Sequence, residues 1–263
     1  MEREVTRRVF LGVGLAAAAG SVLAACAKRL PATPTVLAPT RSATATVAMT
    51  AGATSVVTAV PTAGLPACVV RPAQTEGPYF VDEKLNRSDI RNDLSNNIAK
   101  PGTPLALTFR VLKMEGSGCS ALAGAMVDVW HCDAAGAYSD ARDQSFNTVG
   151  QKFLRGYQLT DGSGSTKFTT IYPGWYQGRA VHIHFKIRSS SGGKAYDFTS
   201  QLYFEDAFSD EVFKQAPYAA RGTGGTRNGN DGNYRNGGAQ LTLNPTKTSE
   251  GYAATFDIGL QMS

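Results

Sequence analysis

Short segments in which apolar and polar residues alternate dominate the sequence from residue 105 onward. Residues two apart lie on the same face of a strand, so this alternation is typical of half-buried strands. The segments cover residues 105–111, 126–130, 167–171, 181–187, 199–204 and 253–258, and turns rich in Gly and Ser separate them. Helical periodicity is weak, and its best candidate is residues 209–214. The pattern predicts an all-β fold, an antiparallel β-sandwich with long loops, one of them Gly-, Asn- and Arg-rich at 221–238.

The distribution of aromatic residues and histidines marks the extent of the folded domain. All ten Tyr, both Trp and all three His lie between Tyr79 and Tyr252. Residues 27–65 are instead rich in Ala, Thr, Pro and Val, with no acidic and no aromatic residue. Such a segment cannot bury enough apolar surface to fold. We therefore expect a disordered tether over residues 26–65 and one folded domain over residues 66–263.

The first 25 residues have the features of an export signal. Arg7 and Arg8 form a twin-arginine pair, and an apolar run over residues 9–25 follows it. The run ends in Leu-Ala-Ala-Cys at 23–26, which resembles the bacterial lipobox, so Cys26 is the predicted lipidation site. The sequence thus predicts an exported lipoprotein, anchored to a membrane on the extracytoplasmic side. An ordinary signal peptide, in which Cys26 has no role, is the alternative.

Composition and charge narrow the class of partner. Hydrophobic residues make up 42% and charged residues 18% of the 263 residues, which is typical of a folded protein. The net charge is +5, and the basic residues form no dense patch, so we do not expect nucleic acid as a partner.

With Cys26 lipidated, three cysteines remain for pairing, Cys68, Cys119 and Cys132. One disulfide and one free thiol are expected outside the cytoplasm, and three pairings are possible.

The three histidines limit the kind of metal site that the chain can form. His182 and His184 lie two residues apart on a predicted strand and therefore share one face, where both can bind one metal ion. His131 is the only other histidine, so a cupin-type site lacks ligands. Tyrosinate oxygens are the other donors at hand, and a highly charged cation such as Fe(III) lowers the pKa of a phenol enough for it to bind. Two further readings stay open: two polar residues on a solvated strand, and a zinc or copper site built from all three histidines.

Five segments together carry a family resemblance. They are QTEGPYF at 74–80, WHCDAAGAYS at 130–139, PGWY at 173–176, RAVHIHF at 179–185 and TSQLYF at 199–204. In this order they resemble the motifs of the intradiol ring-cleavage dioxygenases, the family of protocatechuate 3,4-dioxygenase and catechol 1,2-dioxygenase. The resemblance covers residues 68–258, and the compact PGWY segment is similar to the extracytoplasmic branch of the family.

The resemblance implies both an activity and a set of site residues. The activity is cleavage of a catechol-type aromatic ring with O2 to a muconate-type diacid, at a mononuclear non-haem Fe(III). The implied metal ligands are Tyr138, Tyr176, His182 and His184. The implied catalytic residues are Tyr176, which leaves the metal when the catechol binds, and Arg179 and Gln201, which stabilise charge on the bound substrate. Tyr79, Arg179 and Gln201 are the implied substrate-binding residues, and His131 is expected to be structural.

Two departures from the family leave the substrate open. His182 follows Tyr176 at a spacing of only six positions, which is short for this family and is expected to reshape the pocket. The tether stands where related enzymes carry a helical dimerisation region, so the oligomeric state is open as well. The alternative to an enzyme is a surface β-sandwich lipoprotein that binds a ligand or carbohydrate and has lost catalysis.

Overall fold

The structure is a computed structural model that describes residues 68–116 and 118–262. Strands form most of its regular structure, joined by long loops. The strands are β1 (Asn92–Asp93), β2 (Ile98–Ala99), β3 (Pro104–Glu115), β4 (Gly118–Ala121), β5 (Met126–Trp130), β6 (Arg155–Leu159), β7 (Ser165–Ile171), β8 (His182–Ser191), β9 (Lys194–Tyr203), β10 (Thr246–Lys247) and β11 (Tyr252–Leu260). The α-helices are α1 (Asp206–Phe213) and α2 (Gly232–Arg235).

Two sheets form the body of the fold. One has the order β10-β11-β3-β4, with β7 also paired to β3, and the other has the order β6-β5-β8-β9. Strands β1 and β2 form a separate hairpin-like pair. The named strand pairs are antiparallel except for β3 and β11, which run parallel. The predicted β-sandwich is confirmed, with one parallel pairing that the alternating pattern does not reveal.

The core lies between the two sheets. Ile183, Phe185 and Ile187 alternate along β8 and are fully buried. Phe185 packs against Phe109 of β3 and Phe256 of β11, with ring centroids 5.3 and 5.4 Å apart. Burial of one such ring contributes roughly 2–3 kcal/mol, so these contacts fix which face of β8 points inward. Every second residue of β8 is thereby directed to the opposite face.

That opposite face of the β6-β5-β8-β9 sheet carries one row of directly paired residues. Arg155 pairs with Trp130, Trp130 with His184, and His184 with Gln201 across the four strands. All four side chains are buried. Loops cover this face, so the candidate site is enclosed although it lies outside the sandwich core.

The structure also refines the secondary structure expected from the sequence. Each predicted strand is present, whereas the predicted helix begins earlier, at Asp206. The segment 221–238 is not wholly irregular, because it holds α2 and short 3-10 turns. Strands β1, β2, β4, β6 and β10 were not predicted, because they are short and lack clean alternation. The export signal, Cys26 and the tether lie outside the described residues.

The three cysteines of the described residues are settled by the structure. Cys68 and Cys119 form a disulfide, while Cys132 is free and buried. This selects one of the three pairings that the sequence left open.

In the part of the chain that the structure describes, no helix has the length and apolar character needed to cross a membrane.

Candidate metal centre and active site

His182 and His184 meet on the loop-covered face of β8. Their Nε2 atoms lie 3.0 Å apart, and both side chains are at most 3% exposed. The Nδ1 atom of His182 lies 2.6 Å from the carbonyl oxygen of Ala180, which can only accept, so Nδ1 carries the proton. Nε2 of His182 is therefore unprotonated, and its lone pair can bind a cation. Burial, followed by the positive charge of Arg179, lowers the pKa of His182 to about 3, so the ring stays neutral at physiological pH.

The ring of His184 is positioned by stacking on Trp130. Its ring lies parallel to the indole of Trp130, with centroids 5.0 Å apart and an interplanar angle of 8°. Its Nδ1 atom has no hydrogen-bond partner among the described residues. Burial lowers the pKa of His184 well below its usual value, and the neighbouring His182 lowers it further. A neutral imidazole with Nε2 directed at His182 is the form that binds metal.

Tyr138 brings a phenolic oxygen to the same point. A tight turn precedes it, in which Oδ1 of Asp133 accepts hydrogen bonds from the backbone N–H groups of Ala135 and Ala137. The hydroxyl of Tyr138 lies 3.0 Å from Nε2 of His182. The side chain is fully buried, and burial raises the pKa of this phenol well above its usual value. A cation at this point would favour the phenolate instead.

These three donor atoms fit a metal ion. Ligands bound about 2 Å from one metal at right angles lie about 3 Å apart, which is the spacing from His182 to Tyr138 and to His184. Among the described residues, no group of three or more His, Cys, Asp or Glu side chains is placed to hold a metal. The donor set is thus two imidazoles and a phenol, a combination of nitrogen with hard anionic oxygen that suits Fe(III).

His131 lies apart from this donor set. One ring nitrogen is 2.8 Å from the carbonyl oxygen of Cys132, and the other is 2.7 Å from Oγ1 of Thr170 on β7. With both nitrogens engaged, His131 links the two sheets. The zinc or copper site of three histidines, one of the open readings, is therefore not assembled here.

Tyr176 lies beside the three donors but directs its hydroxyl elsewhere. Its ring centroid is 5.7 Å from that of Tyr138. Its hydroxyl lies 2.7 Å from that of Tyr79 and donates to Oδ2 of Asp143 at 2.9 Å. Burial raises the pKa of Tyr176, and hydrogen bonds, first from Tyr79, hold the pKa of Asp143 well below its usual range. The fourth predicted ligand therefore lies beside the site, with its hydroxyl hydrogen-bonded to Asp143, a partner that the sequence did not indicate.

Tyr79 connects the two tyrosines of the predicted ligand set. Its ring stacks on Tyr138 with centroids 4.7 Å apart, and its hydroxyl donates to Asp143 at 2.6 Å. Burial and the hydrogen bond to Asp143 raise the pKa of Tyr79 above its usual value. The structure thus places the predicted pocket residue in contact with both Tyr138 and Tyr176.

Arg179 and Gln201 are brought together beside the histidines. Nη2 of Arg179 donates to Oε1 of Gln201 at 2.6 Å, and Gln201 is fully buried opposite His184 on the neighbouring strand. The amide of Gln201 donates to the carbonyl oxygen of Thr75 at 2.8 Å, which orients the side chain. On its other side, Nε of Arg179 donates to Oδ2 of Asp231 at 2.8 Å. The positively charged guanidinium of Arg179 is therefore fixed in place next to the donor atoms of the two histidines.

Arg155 anchors the backbone around two of the tyrosines. Its guanidinium donates to the carbonyl oxygens of Tyr79 and Ser139 and, at 2.6 Å, to Oγ of Ser139. Its charge is balanced by Glu83, whose Oε1 lies 3.9 Å from Nε, and both side chains are less than 10% exposed. Because Ser139 follows Tyr138 in the chain, Arg155 ties the segments that carry Tyr79 and Tyr138 to strand β6.

Sequence reasoning missed Asp143, Arg155 and Asp231. The site contacts of Asp143 and Arg155 carry no local signal, since the partners in the site lie 16 or more positions away in the chain. Asp231 could have been found, because Asp before a short helical segment is a common N-cap, and its side chain accepts from the N–H groups of Asn233 and Tyr234.

A cleft of about 560 Å³ opens beside Tyr176. Phe146, Trp175 and Tyr176 provide aromatic walls, and Arg221 lies at its edge. Of the four predicted metal ligands, Tyr176 is the one that lines this cleft. A planar molecule in the cleft would therefore contact the side chain that separates it from the three donor atoms.

The known proteins that this chain resembles are dioxygenases. A family profile described as a dioxygenase matches residues 75–261. The protocatechuate 3,4-dioxygenase beta chain of Burkholderia cepacia is 33% identical over 160 residues, which cover 55% of this chain and 65% of that protein. The chain thus spans just under two thirds of the length of this curated relative.

Two solved structures share the fold. The intradiol ring-cleavage dioxygenase from Tetranychus urticae has a TM-score of 0.63 and 27% identity, covering 74% of this chain and 95% of its own. The dioxygenase domain of a dioxygenase carbohydrate-binding protein fusion from Streptomyces sp. SirexAA-E has a TM-score of 0.51 and 28% identity, covering 74% of this chain and all of its own. Since the family profile also matches well over half of the chain, this protein belongs to the intradiol ring-cleavage dioxygenase family.

Proposed function

We propose that this protein is a mononuclear non-haem Fe(III) dioxygenase that opens a catechol-type ring with O2 and forms a muconate-type diacid. The observation that carries the proposal is the convergence of Tyr138 Oη, His182 Nε2 and His184 Nε2 at 3.0 Å spacing. Tyr176 would be the fourth ligand. When bound, Fe(III) would hold the two oxygens of the catechol and make its ring reactive towards O2. The catechol substrates named for the curated relatives agree with this substrate class.

Tyr176 is suited to accept a proton from the substrate. A phenolate that takes up one catechol proton becomes a neutral phenol and a weak ligand. Its hydroxyl can then donate to Oδ2 of Asp143, as in the arrangement seen here at 2.9 Å. The hydroxyl of Tyr79 donates to the same carboxylate and lies beside that of Tyr176. The chain thus supplies both the base, Tyr176, and the hydrogen-bonding position that Tyr176 occupies once it is protonated.

Arg179 and Gln201 are suited to stabilise negative charge that develops on the substrate. The guanidinium stays cationic, and its ion pair with Asp231 and its hydrogen bond to Gln201 fix its orientation. Donors held in place before the reaction cost no reorganisation when charge develops. Gln201 is also paired with His184 across the two strands, so it lies beside the metal-donor cluster.

The ligand set is tested by the colour of the iron-loaded protein. We expect a burgundy protein, because charge transfer from tyrosinate to Fe(III) absorbs visible light. Tyr138→Phe should shift or abolish the band. Tyr196→Phe is the matched control, since the hydroxyl of Tyr196 makes no hydrogen bond within the described residues and lies outside the donor cluster. A colourless iron-replete protein, or an unchanged spectrum in the Tyr138 variant, would remove this tyrosine from the site.

The activity is tested by oxygen uptake with catechol, protocatechuate and hydroxyquinol, followed by product analysis. We expect one O2 per ring and a muconate-type product. A yellow semialdehyde would instead indicate extradiol cleavage. Absence of oxygen uptake with every catechol would favour the alternative, a binding protein that has lost catalysis.

We also propose that the protein is exported and held at a membrane through a lipid on Cys26. The twin-arginine pair, the apolar run and the lipobox-like segment motivate this localisation. The pairing of Cys68 with Cys119 fits an oxidising compartment. Cys26→Ala should release the protein from the membrane fraction, whereas Cys132→Ala should not. A membrane-bound Cys26 variant, or an N-terminal peptide without the lipid mass, would overturn the anchor.

A further inference from the structure

Arg221 offers an unpaired guanidinium to the cleft beside Tyr176. It forms no salt bridge with the carboxylates of the described residues, in contrast to Arg227, whose Nη1 lies 2.8 Å from Asp210. The acid that acts on it electrostatically, Asp133, is itself paired with Nζ of Lys100 at 2.8 Å. The cleft therefore carries a positive charge with no partner of its own.

The fold holds this guanidinium in a fixed place. Its Cζ lies 3.6 Å from the centroid of the Trp175 ring, and Nη1 donates to the carbonyl oxygen of Trp175 at 2.8 Å. Gly136 leaves room for it: with φ of +83°, a Cβ there would lie 2.6 Å from Nη1 of Arg221 and 2.5 Å from the Trp175 oxygen. Nε and Nη2 make no hydrogen bond among the described residues. Two donors on one edge of the guanidinium are thus available to a ligand.

The chemistry of the cleft indicates its ligand. Two adjacent N–H donors on a planar guanidinium match the two oxygens of a carboxylate. The rings of Phe146, Trp175 and Tyr176 suit a flat aromatic body. Tyr176 belongs both to this cleft and to the donor cluster. A ligand that fills the cleft therefore contacts both Arg221 and Tyr176.

We propose that the cleft is a subsite for the carboxylate of an acidic catechol, and that Arg221 determines this specificity. The inference rests on the proposed function, because it names the class of catechol that the site prefers. A neutral catechol would gain the aromatic contacts but not the charged hydrogen bonds. An acidic one would gain both.

The first test compares KM values for 3,4-dihydroxybenzoate and for unsubstituted catechol. In Arg221→Gln, the KM for the acid should rise relative to that for catechol by about tenfold to a hundredfold, the worth of hydrogen bonds to a charged group. Arg227→Gln is the matched control, since its guanidinium is surface-paired, and it should leave the ratio unchanged. An unaltered ratio in the Arg221 variant overturns the proposal.

A second test needs neither iron nor turnover. Benzoate and its neutral isostere benzamide are titrated against the chain while the fluorescence of Trp175, stacked on Arg221, is followed. Benzoate should bind more tightly than benzamide, and Arg221→Gln should abolish the difference. Equal binding of both overturns the subsite even if catechols are cleaved. Arg221-dependent binding of benzoate without oxygen uptake would keep the subsite and reject the dioxygenase activity.

Discussion

Asp231 accepts two hydrogen bonds on one oxygen, from Nε of Arg179 at 2.8 Å and from the backbone N–H of Ala180 at 2.7 Å. The same carboxylate caps α2 through its other oxygen. Burial alone would raise its pKa, but these backbone hydrogen bonds and the charge of Arg179 outweigh it and keep the pKa low. The loop after α1 is thereby fastened to the segment that leads into the histidine strand.

Removal of the charge on Asp231 should destabilise the fold and loosen Arg179. Asp231 is 1% exposed and Arg179 is 21% exposed, so we expect Asp231→Asn to lower the free energy of unfolding by about 2–3 kcal/mol. Asp210→Asn removes the exposed ion pair with Arg227 and should cost less than about 1 kcal/mol. Urea unfolding measures both. Equal losses of unfolding free energy in the two variants would show that the buried ion pair stabilises the fold no more than the exposed one.

Gly136 should tolerate a methyl group less well than a glycine of the same conformation. Gly136 and Gly150 have φ of +83° and +85°, so alanine is strained at both positions. A Cβ at Gly136 meets the Trp175 oxygen and Arg221, whereas a Cβ at Gly150 meets nothing within 4 Å. We expect Gly150→Ala to cost about 1 kcal/mol and Gly136→Ala about 1–3 kcal/mol more, measured by thermal unfolding. Equal shifts in Tm would mean that the close approach costs nothing.

Glu83 and Arg155 should show strong coupling in a double-mutant cycle. Arg155→Met leaves the Glu83 carboxylate buried with only Lys152 at 2.9 Å, and Glu83→Gln leaves the Arg155 cation buried. Each single variant should lose about 3 kcal/mol of stability, and the double variant should lose less than the sum by about 1–3 kcal/mol. Chemical denaturation of the four proteins provides the coupling energy. Simple additivity would contradict a functional ion pair at 3.9 Å.

Acid should destabilise the fold partly through His131. Burial lowers the pKa of this imidazole from 6.5 to about 4, so the unfolded chain binds its proton first. Stability therefore falls as the pH drops from about 6.5 to about 4, by about 3 kcal/mol for this residue, and then levels off. His131→Gln should be less stable at pH 7 yet lose less on acidification. His182 and His184 are present in both proteins, so the difference reports His131 together with its charge coupling to these two residues.

The alternating pattern predicted the long strands well, because a strand that packs on a buried core must have apolar residues at every second position. Ile183, Phe185 and Ile187 must point inward, and His182 and His184 then follow to the other face without further information. The pattern could not show which strands are neighbours, since alternation is the same for parallel and antiparallel pairs. The parallel pairing of β3 with β11 is therefore known only from the structure.

The loop residues of the site were harder to predict for a different reason. Asp143 reaches Tyr79 across 64 positions, and Asp231 reaches Arg179 across 52. Nothing near either aspartate in the sequence indicates that partner, because these contacts depend on how separate loops fold over the sheet. Tyr138 and Tyr176 were identified because the short segments that carry them resemble family motifs. Each of these segments brings one tyrosine to the same site.

The row of Arg155, Trp130, His184 and Gln201 has a consequence for how this protein can be re-engineered. Its four side chains depend on strand register, and a one-residue slip of any of the four strands would turn that strand's member of the row towards the core. The cleft with Phe146, Trp175 and Arg221 depends only on loops. Substrate preference should therefore be open to loop grafting that keeps Tyr138 and Tyr176, while the two histidines and Gln201 are inherited with the sheet.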